Sequence, residues 1–357
     1  MSLRSLFSST ALKSAVVCCG VWAYASGGRV WAGPVAESLS SEVRGVFEQT
    51  RGAIVKVEGN DKTGSLCGTG FFIDPNGTLL TAYSVGGESS NLSVILPGNH
   101  KVTARRLVAD ARAGIAILKA EDVPCGTPFL PLASGSLQVA SPVVTVAYAM
   151  DMPVTPSFGL VSGMDLKYLG RCFATSHIRA TVSVQRGQGG APLLNMQGEV
   201  VGVIVSSIDN GSACFALPTV AVEKIRHDFD RYGAVRPGWL GVRVQVVASG
   251  STGLAVEVDR VEEDSPAQQA GLEPGDRVVR IGDTVVTSPE DVLDASFFLT
   301  AGEKVAVTVR RGEVERVLQA KPIERSDRTA CEVLAPGGVK VHPSSALNGD
   351  ITLRLNP

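Results

Sequence analysis

The sequence is poor in aromatic residues, which fill 5% of its 357 positions. It also has no surplus of positive charge: 33 Lys and Arg stand against 35 Asp and Glu, a formal net charge of -2. A phosphate-binding surface needs clustered excess cations, so the composition gives no footprint for nucleic acid. Histidines number only 4, at His100, His177, His227 and His342, and they do not cluster. No C-x-x-C pair occurs among the 7 cysteines. The ligand spacing of a zinc site is therefore missing, and the sequence implies no metal and no cofactor. Beyond the N-terminal segment, no apolar run approaches the about 20 residues that a helix needs to span a bilayer.

What is present points to a β-rich globular protein. Hydrophobic residues make up 44% and charged residues 19%, enough apolar content to argue against disorder. The 39 glycines, set among many Val and Ile, suit short strands joined by tight turns. The length allows two or three domains with a sizeable core.

The N-terminus reads as an export signal over residues 1–32. Arg4 and Lys13 supply a positive start, and residues 14–25 form an apolar run too short for a permanent span. Ala23-Tyr24-Ala25 and Val30-Trp31-Ala32 are the two candidate cleavage sites. Val16 and Val17 before Cys18 fit a lipid-attachment signal poorly, so plain cleavage is the expectation, with a retained N-terminal anchor as its competitor. Cleavage after Ala32 removes Arg4, Lys13 and Arg29 but no acidic residue, leaving a more acidic mature chain. It also removes Cys18 and Cys19, leaving Cys67, Cys125, Cys172, Cys214 and Cys331. An odd number in an oxidising compartment means at least one free or intermolecular thiol. The pairing is open, and burial as small hydrophobes is the plainer role for several of them.

Along the chain, residues 34–52 have helical spacing, with Val43, Val46 and Phe47 on one face. Short β-type runs follow at 54–57, 70–73, 79–81, 92–96, 102–108 and 115–119. They resume at 142–148, 159–162, 177–184, 192–195, 200–206 and 214–217. Asp74-Pro75-Asn76-Gly77 predicts a hairpin turn with positive φ at Asn76 and Gly77. Many short strands at this rhythm favour a barrel or sandwich. Residues 219–229 predict a closing amphipathic helix, and the Gly- and Pro-bearing stretch 232–237 predicts a domain boundary. The domains expected are 33–230 and 236–322, with a C-terminal extension over 323–357. Residues 350–355 alternate like one strand, either added to a neighbouring sheet or part of a loose tail.

Four segments together resemble the HtrA/DegP family of trypsin-like serine proteases. The first runs Gly68-Thr69-Gly70-Phe71-Phe72-Ile73-Asp74-Pro75-Asn76-Gly77-Thr78-Leu79-Leu80-Thr81. The second is Asp110-Ala111-Arg112-Ala113-Gly114-Ile115-Ala116-Ile117-Leu118-Lys119. The third is Gly187-Gln188-Gly189-Gly190-Ala191-Pro192-Leu193-Leu194-Asn195, followed by Gly198-Glu199-Val200-Val201-Gly202-Val203. The fourth, Phe215-Ala216-Leu217-Pro218, closes the set in the family's order. The resemblance implies a mostly β fold: a trypsin-like double β-barrel followed by an α+β PDZ domain.

Carried residue by residue, the resemblance also marks an absence. The family's imidazole position, three residues after Thr81, is Ser84. Its carboxylate position is Gly114 and its nucleophile position is Gly189. A hydroxyl, an imidazole and a carboxylate are what such chemistry needs, and none stands at its place. His177 and Ser183 are the nearest histidine and serine in the motif map; on one strand they would lie about 20 Å apart, too far to pair. Gly187 and Gly189 occupy the positions whose N–H groups form the family's oxyanion hole. Gln188, Arg186 and Ala191 replace its usual Asn, Pro and Gly. Drift after loss of catalysis is the plainer reading of this loop; the alternative is a side-chain-free floor at Gly189 that widens the old cleft into a peptide or carboxylate groove.

The second unit resembles the family's PDZ domain. Gly238-Trp239-Leu240-Gly241-Val242 matches the carboxylate-binding loop and first strand. Ser265-Pro266-Ala267-Gln268-Gln269-Ala270-Gly271-Leu272-Glu273-Pro274-Gly275-Asp276 carries the more specific signature. Ser265 and Ser288 predict helix caps, each with proline next. Trp239, Leu240, Gly241 and Val242 are the expected peptide-binding residues, with Phe297 and Phe298 as groove or core. The resemblance implies a polypeptide or protein C-terminus as ligand, a periplasmic or envelope location, and a homotrimer or co-assembly with an active paralogue. The whole reads as a pseudoprotease that binds peptides, with a serine endopeptidase using rearranged residues as the alternative.

Overall fold

A computed structural model describes residues 34–324, apart from 136, 169–170, 209–210 and 250–252, together with the short strands at 333–334, 340–341 and 353–355. The predicted export signal, with Cys18 and Cys19, lies outside the described residues, as do Cys331, His342 and most of the C-terminal extension. Among the described residues, no helix is long and apolar enough to cross a membrane.

Helix α1 (Pro34–Thr50) opens the described chain. In its last turns Val46 is buried in the core, with Val43 and Phe47 packed beside it, as the helical spacing predicts. Six strands follow: β1 (Ile54–Asp61), β2 (Gly64–Phe72), β3 (Thr78–Ala82), β4 (Ser90–Leu96), β5 (His100–Asp110) and β6 (Ile115–Ala120). They pair in the order β1-β4-β5-β6-β3-β2, and β1 pairs with β2 as well, so the ring closes. The turn between β2 and β3 differs from expectation. Gly77 alone has positive φ, at 89°. Asn76 keeps an ordinary φ because the Asp74 carboxylate accepts its N–H at 2.8 Å and that of Thr78 at 3.1 Å.

A second closed barrel is built from β7 (Pro142–Ala147), β8 (Thr155–Tyr168), β9 (Arg171–Ala180), β10 (Pro192–Leu194), β11 (Val200–Ile208) and β12 (Ala213–Pro218). The reading of 177–184 as a strand needs correction: β9 ends at Ala180, so His177 lies within the strand and Ser183 beyond it. Helix α2 (Tyr83–Gly86) is a single turn after β3, and α3 (Thr219–Tyr232) closes the two-barrel unit at Gly233, whose φ is 73°.

The barrel walls are buried on both sides, which explains their near-continuous apolar runs. On β3, Leu79 points into the first barrel with Val57 and Phe72, while the adjacent Leu80 joins a separate cluster with Ile54, Phe71, Val144 and Leu217. That separate cluster lies between the barrels. Val143, Ile178, Leu193 and Ile204 fill the second barrel.

The last unit contains β13 (Val242–Ser249), β14 (Gly253–Val261), α4 (Pro266–Gln269), β15 (Arg277–Ile281), β16 (Thr284–Val285), α5 (Pro289–Phe297), β17 (Val305–Arg311) and β18 (Val314–Ala320). Both predicted caps form. The Ser265 side chain accepts the Gln268 N–H at 3.2 Å, and Ser288 with Asp291 forms a capping box. The strand order is β18-β17-β15-β14-β13, continued by β19 (Val333–Leu334) and β20 (Lys340–Val341). The terminal alternation seen over 350–355 yields β21 (Leu353–Leu355), antiparallel to residues 65–67 of β2.

The PDZ-like unit is fastened to the two barrels. Phe297 is 2% exposed and belongs to the cluster between the barrels, with Phe298 packed against it. Both aromatics thus serve that core, where the sequence left one of them for the groove. Asp294 of α5 accepts the Thr175 hydroxyl and the Ser176 N–H, each at 2.7 Å, and Lys167 pairs with Glu290. Asp228 of α3 is fully buried and triply satisfied: by Lys224 at 2.6 Å, the Arg236 N–H at 3.0 Å and the Thr300 hydroxyl at 2.8 Å.

Candidate functional site

Two of the positions singled out by motif spacing, Ser84 and Gly114, lie on adjoining connections of the first barrel, and the loop of the third, Gly189, packs against β2. Ser84 sits exposed on α2, directly after the β3 strand end. The N–H of its neighbour Tyr83 donates to the Gly114 carbonyl at 2.7 Å, which fixes the loop after β5 beside α2. Gly114 has φ of 74°, a region that side chains with a Cβ adopt at a cost, and a Cβ there would lie 3.2 Å from the Val205 side chain. The loop is tightened further by Arg112, whose guanidinium spans both carboxylate oxygens of Asp110 at 3.1 and 2.6 Å.

The loop 187–190 approaches from the second barrel. The Thr69 N–H donates to the Gly189 carbonyl at 3.0 Å, and the Thr69 hydroxyl donates to the Gly187 carbonyl at 2.8 Å. The same hydroxyl accepts the Tyr148 N–H at 3.1 Å. Gly190 is pressed against β3: a Cβ there would lie 2.4 Å from the Ala82 nitrogen and from the Thr69 carbonyl oxygen. Only glycine fits, at a φ of 87°. The Gln188 side chain is buried and accepts the Gln185 N–H at 2.5 Å. All of residues 187–190 are buried.

Among the described residues, the N–H groups of Gly187 and Gly189 donate to no protein acceptor, the condition an oxyanion-type site requires. The histidines among the described residues have other partners. His177 is 1% exposed, stacks on Phe173 at 4.1 Å between centroids, and bonds through Nδ1 to the Thr175 carbonyl at 2.7 Å. Burial pushes its pKa down to about 4, so it is neutral near pH 7. His227 meets Glu303 at 3.4 Å. Among the described residues, no histidine nitrogen bonds a serine or threonine hydroxyl or a cysteine thiol.

The buried cysteines among the described residues are poor nucleophiles. Cys67, Cys172 and Cys214 are buried and Cys125 is exposed; none of the four is in a disulfide. Burial pushes the Cys67 and Cys214 thiols up to about 12, far from thiolate formation.

A second candidate site lies on the PDZ-like unit. Trp239 and Ile323 exchange backbone hydrogen bonds at 2.8 and 3.1 Å, which pins the loop before β13. Leu240 is 7% exposed and belongs to the domain core, while its carbonyl accepts the Ala267 N–H at 2.9 Å. Gly241 has φ of 80°, and a Cβ there would lie 2.4 Å from the Ser265 Cβ. Among the described residues, the N–H groups of Leu240 and Gly241 donate to no acceptor. Val242 begins β13, half-buried against the same core. These four residues therefore form one loop-and-strand edge. Sequence reasoning missed Thr69, which clamps the former nucleophile loop, and Asp228, which joins the units. Thr69 lay inside a quoted motif, but its role shows only once residues far apart in sequence are in contact.

Comparison with known proteins agrees with this layout. Residues 68–203 match the trypsin-like peptidase domain family, and residues 238–321 match the PDZ domain family. A probable periplasmic serine endoprotease, DegP-like, from Brucella suis biovar 1 is 27% identical over 317 residues, covering 81% of this chain and 61% of the relative. A protein of the same description from Rhizobium meliloti is 29% identical over 262 residues, covering 70% of this chain and 52% of the relative. The chain thus spans between about half and six-tenths of the length of these relatives. Among solved structures, the HtrA-type protease AlgW with a tripeptide is similar with a TM-score of 0.68 at 21% identity, over 81% of this chain and 99% of that one. The serine endoprotease from Yersinia pestis gives 0.59 at 21% identity, over 80% and 98%. The chain carries a trypsin-like peptidase domain followed by a PDZ domain, the fold of the HtrA-type proteases.

Proposed function

We propose that this chain is a non-catalytic, HtrA-like peptide-binding protein of the cell envelope, acting as adaptor, chaperone-like factor or regulator. It takes protein C-termini or extended polypeptide through its PDZ domain. The observation that carries this reading is the chemistry at the junction of the barrels. At the three positions that the family resemblance gives to the triad, the chain offers one hydroxymethyl group and two hydrogens: Ser84, Gly114 and Gly189. Peptide hydrolysis by this fold needs an attacking atom, a base to take its proton and a group to orient the base. Loss of the nucleophile alone lowers turnover by on the order of 10⁶. The binding half rests on the PDZ loop, whose Leu240 and Gly241 N–H groups have no acceptor among the described residues. A peptide joins such a domain as an added strand, its carboxylate held by loop N–H groups. The AlgW protease is described with a tripeptide and with a decapeptide, ligands of the size this groove would take. Purified protein treated with a fluorophosphonate probe should remain unlabelled and leave casein intact. Stoichiometric labelling or casein cleavage would overturn the reading.

The second reading is a serine endopeptidase of protein quality control with rearranged catalytic residues. It is favoured by the relatives, which are named serine endoproteases. It requires a histidine to meet a hydroxyl or thiol at the barrel junction, and the same probe discriminates. For assembly we favour a homotrimer or a mixed complex with an active paralogue, to be sought by pull-down from the native envelope. Export is tested by N-terminal sequencing of the mature protein, expected to begin after Ala25 or Ala32.

A further inference from the structure

Strand β13 has two edges. One is filled along its length by β14, from Val242 opposite Val261 to Ser249 opposite Gly253. The other is the only edge on which a peptide could be added. It is not empty: Val244 pairs with Val333 of β19. Strand β19 also lies against α5, the helix that forms the far wall of the slot. On its outer side β19 is backed by β20, with Val333 opposite Val341 and Leu334 opposite Lys340. The five residues joining them, Ala-Pro-Gly-Gly-Val, have turn-forming composition.

From this placement we infer that the C-terminal extension is a tethered ligand of its own PDZ domain: Val333–Leu334 fills the slot between β13 and α5 and must leave before another polypeptide can enter. The competition half of this statement rests on the peptide-binding reading above.

Two features fit a resident segment. The Trp239–Ile323 backbone pair holds the chain's exit from the PDZ domain beside the carboxylate loop. Only the eight residues 325–332 separate that exit from β19. A short tether of this kind gives a local concentration on the order of millimolar, so even a weak strand contact stays occupied. Direction is the second feature. The loop lies at the N-terminal end of β13, so a peptide with its terminal carboxylate seated there would run antiparallel to β13. Strand β19 runs parallel. The resident therefore takes the strand positions as an internal segment, and the Leu240 and Gly241 N–H groups keep no acceptor among the described residues. The same extension adds β21 to the β2 edge at residues 65–67, two residues before Thr69, whose N–H holds the Gly189 carbonyl. One tail covers an edge on each domain by the same backbone pairing.

The test compares the full chain with a Val333→Pro/Leu334→Pro variant, whose prolines remove both strand N–H donors. The probe is a fluorescein-labelled peptide of residues 329–343, with serine in place of Cys331. It should bind the variant at least tenfold more tightly than the wild type, and the β13 amides should exchange hydrogen faster in the variant. A Val333→Gly/Leu334→Gly chain serves as the gentler second variant. Equal peptide binding by wild type and variants, no binding by either variant, or unchanged β13 exchange each overturns the inference. A panel of decapeptides with free carboxylates separates the two readings. If the chain's own peptide binds the opened variants and no panel member does, the inference stands and the C-terminus-binding reading falls. If panel members bind wild type and variants equally, the inference falls and that reading stands.

Discussion

Thr69 holds Gly189 from the opposite barrel: its N–H meets the Gly189 carbonyl at 3.0 Å while its hydroxyl reaches Gly187 two residues earlier at 2.8 Å. One buried side chain thus sets the shape of the former nucleophile loop and also accepts the Tyr148 N–H. Thr69→Val keeps the volume and removes the hydroxyl. It leaves the Gly187 carbonyl and the Tyr148 N–H without this partner, so stability should fall by about 1–3 kcal/mol, read by urea denaturation. A change within experimental error would mean that the loop holds its shape without this clamp.

The intact scaffold makes restoration a sharp test. Wild type and the single Gly189→Ser variant should both fail to react with a fluorophosphonate, because a serine hydroxyl without a base is a weak nucleophile. Ser84→His/Gly114→Asp/Gly189→Ser should gain measurable labelling. The gain will be limited by Gly114, since aspartate there must adopt φ of 74° with Val205 at 3.2 Å, a strain of about 1–2 kcal/mol. Labelling of the wild type would remove the premise.

His177 predicts acid sensitivity with a defined sign. Its folded pKa of about 4 lies below the ordinary value of 6.5, so the unfolded chain binds the proton more readily. The neutral, buried form contributes stability fully above pH 6.5, and that contribution is lost as pH falls toward 4. The loss is about 3 kcal/mol over this window. Denaturation midpoints at pH 7 and pH 4.5 should therefore differ more for the wild type than for His177→Phe. Equal pH slopes in the two proteins would contradict this.

Phe297 couples the domains through packing. Phe297→Ala empties a site in the cluster between the barrels and should cost about 3–5 kcal/mol. Calorimetry should show the PDZ unit melting separately from the barrels in the variant, where the wild type melts as one. A variant that keeps the wild-type melting profile would show that Asp294 and Asp228 suffice to hold the units together.

Much of this was legible in the sequence, for physical reasons. Short apolar runs bounded by turn residues located most barrel strands, and the capping serines 265 and 288 located their helices. Motif spacing placed Ser84, Gly114 and Gly189, and the Tyr83 N–H bond to the Gly114 carbonyl sets the first two side by side. The long strand β8 was misjudged because its glycines, Gly159 and Gly163, read as punctuation. At Gly159 a Cβ would lie 2.7 Å from the Thr181 carbonyl, so that glycine marks a close backbone approach within a continuing strand. Asp228 was invisible because an acidic residue in a charged helix reads as solvated, and its burial depends on Thr300, 72 residues away. Strand β19 left no signal, since two residues are too few for a period.

Both barrels close on themselves, and closure has a consequence for life among unfolded chains. A closed ring offers no continuous row of unpaired backbone groups for a stranger to copy. The remaining seams are few: the outer side of β18 carries Glu315 and Arg316, charges that discourage docking, and the seams at β13 and β2 are covered by the protein's own tail. An unfolded neighbour therefore finds few rows of open backbone along which it could be zipped into a growing aggregate.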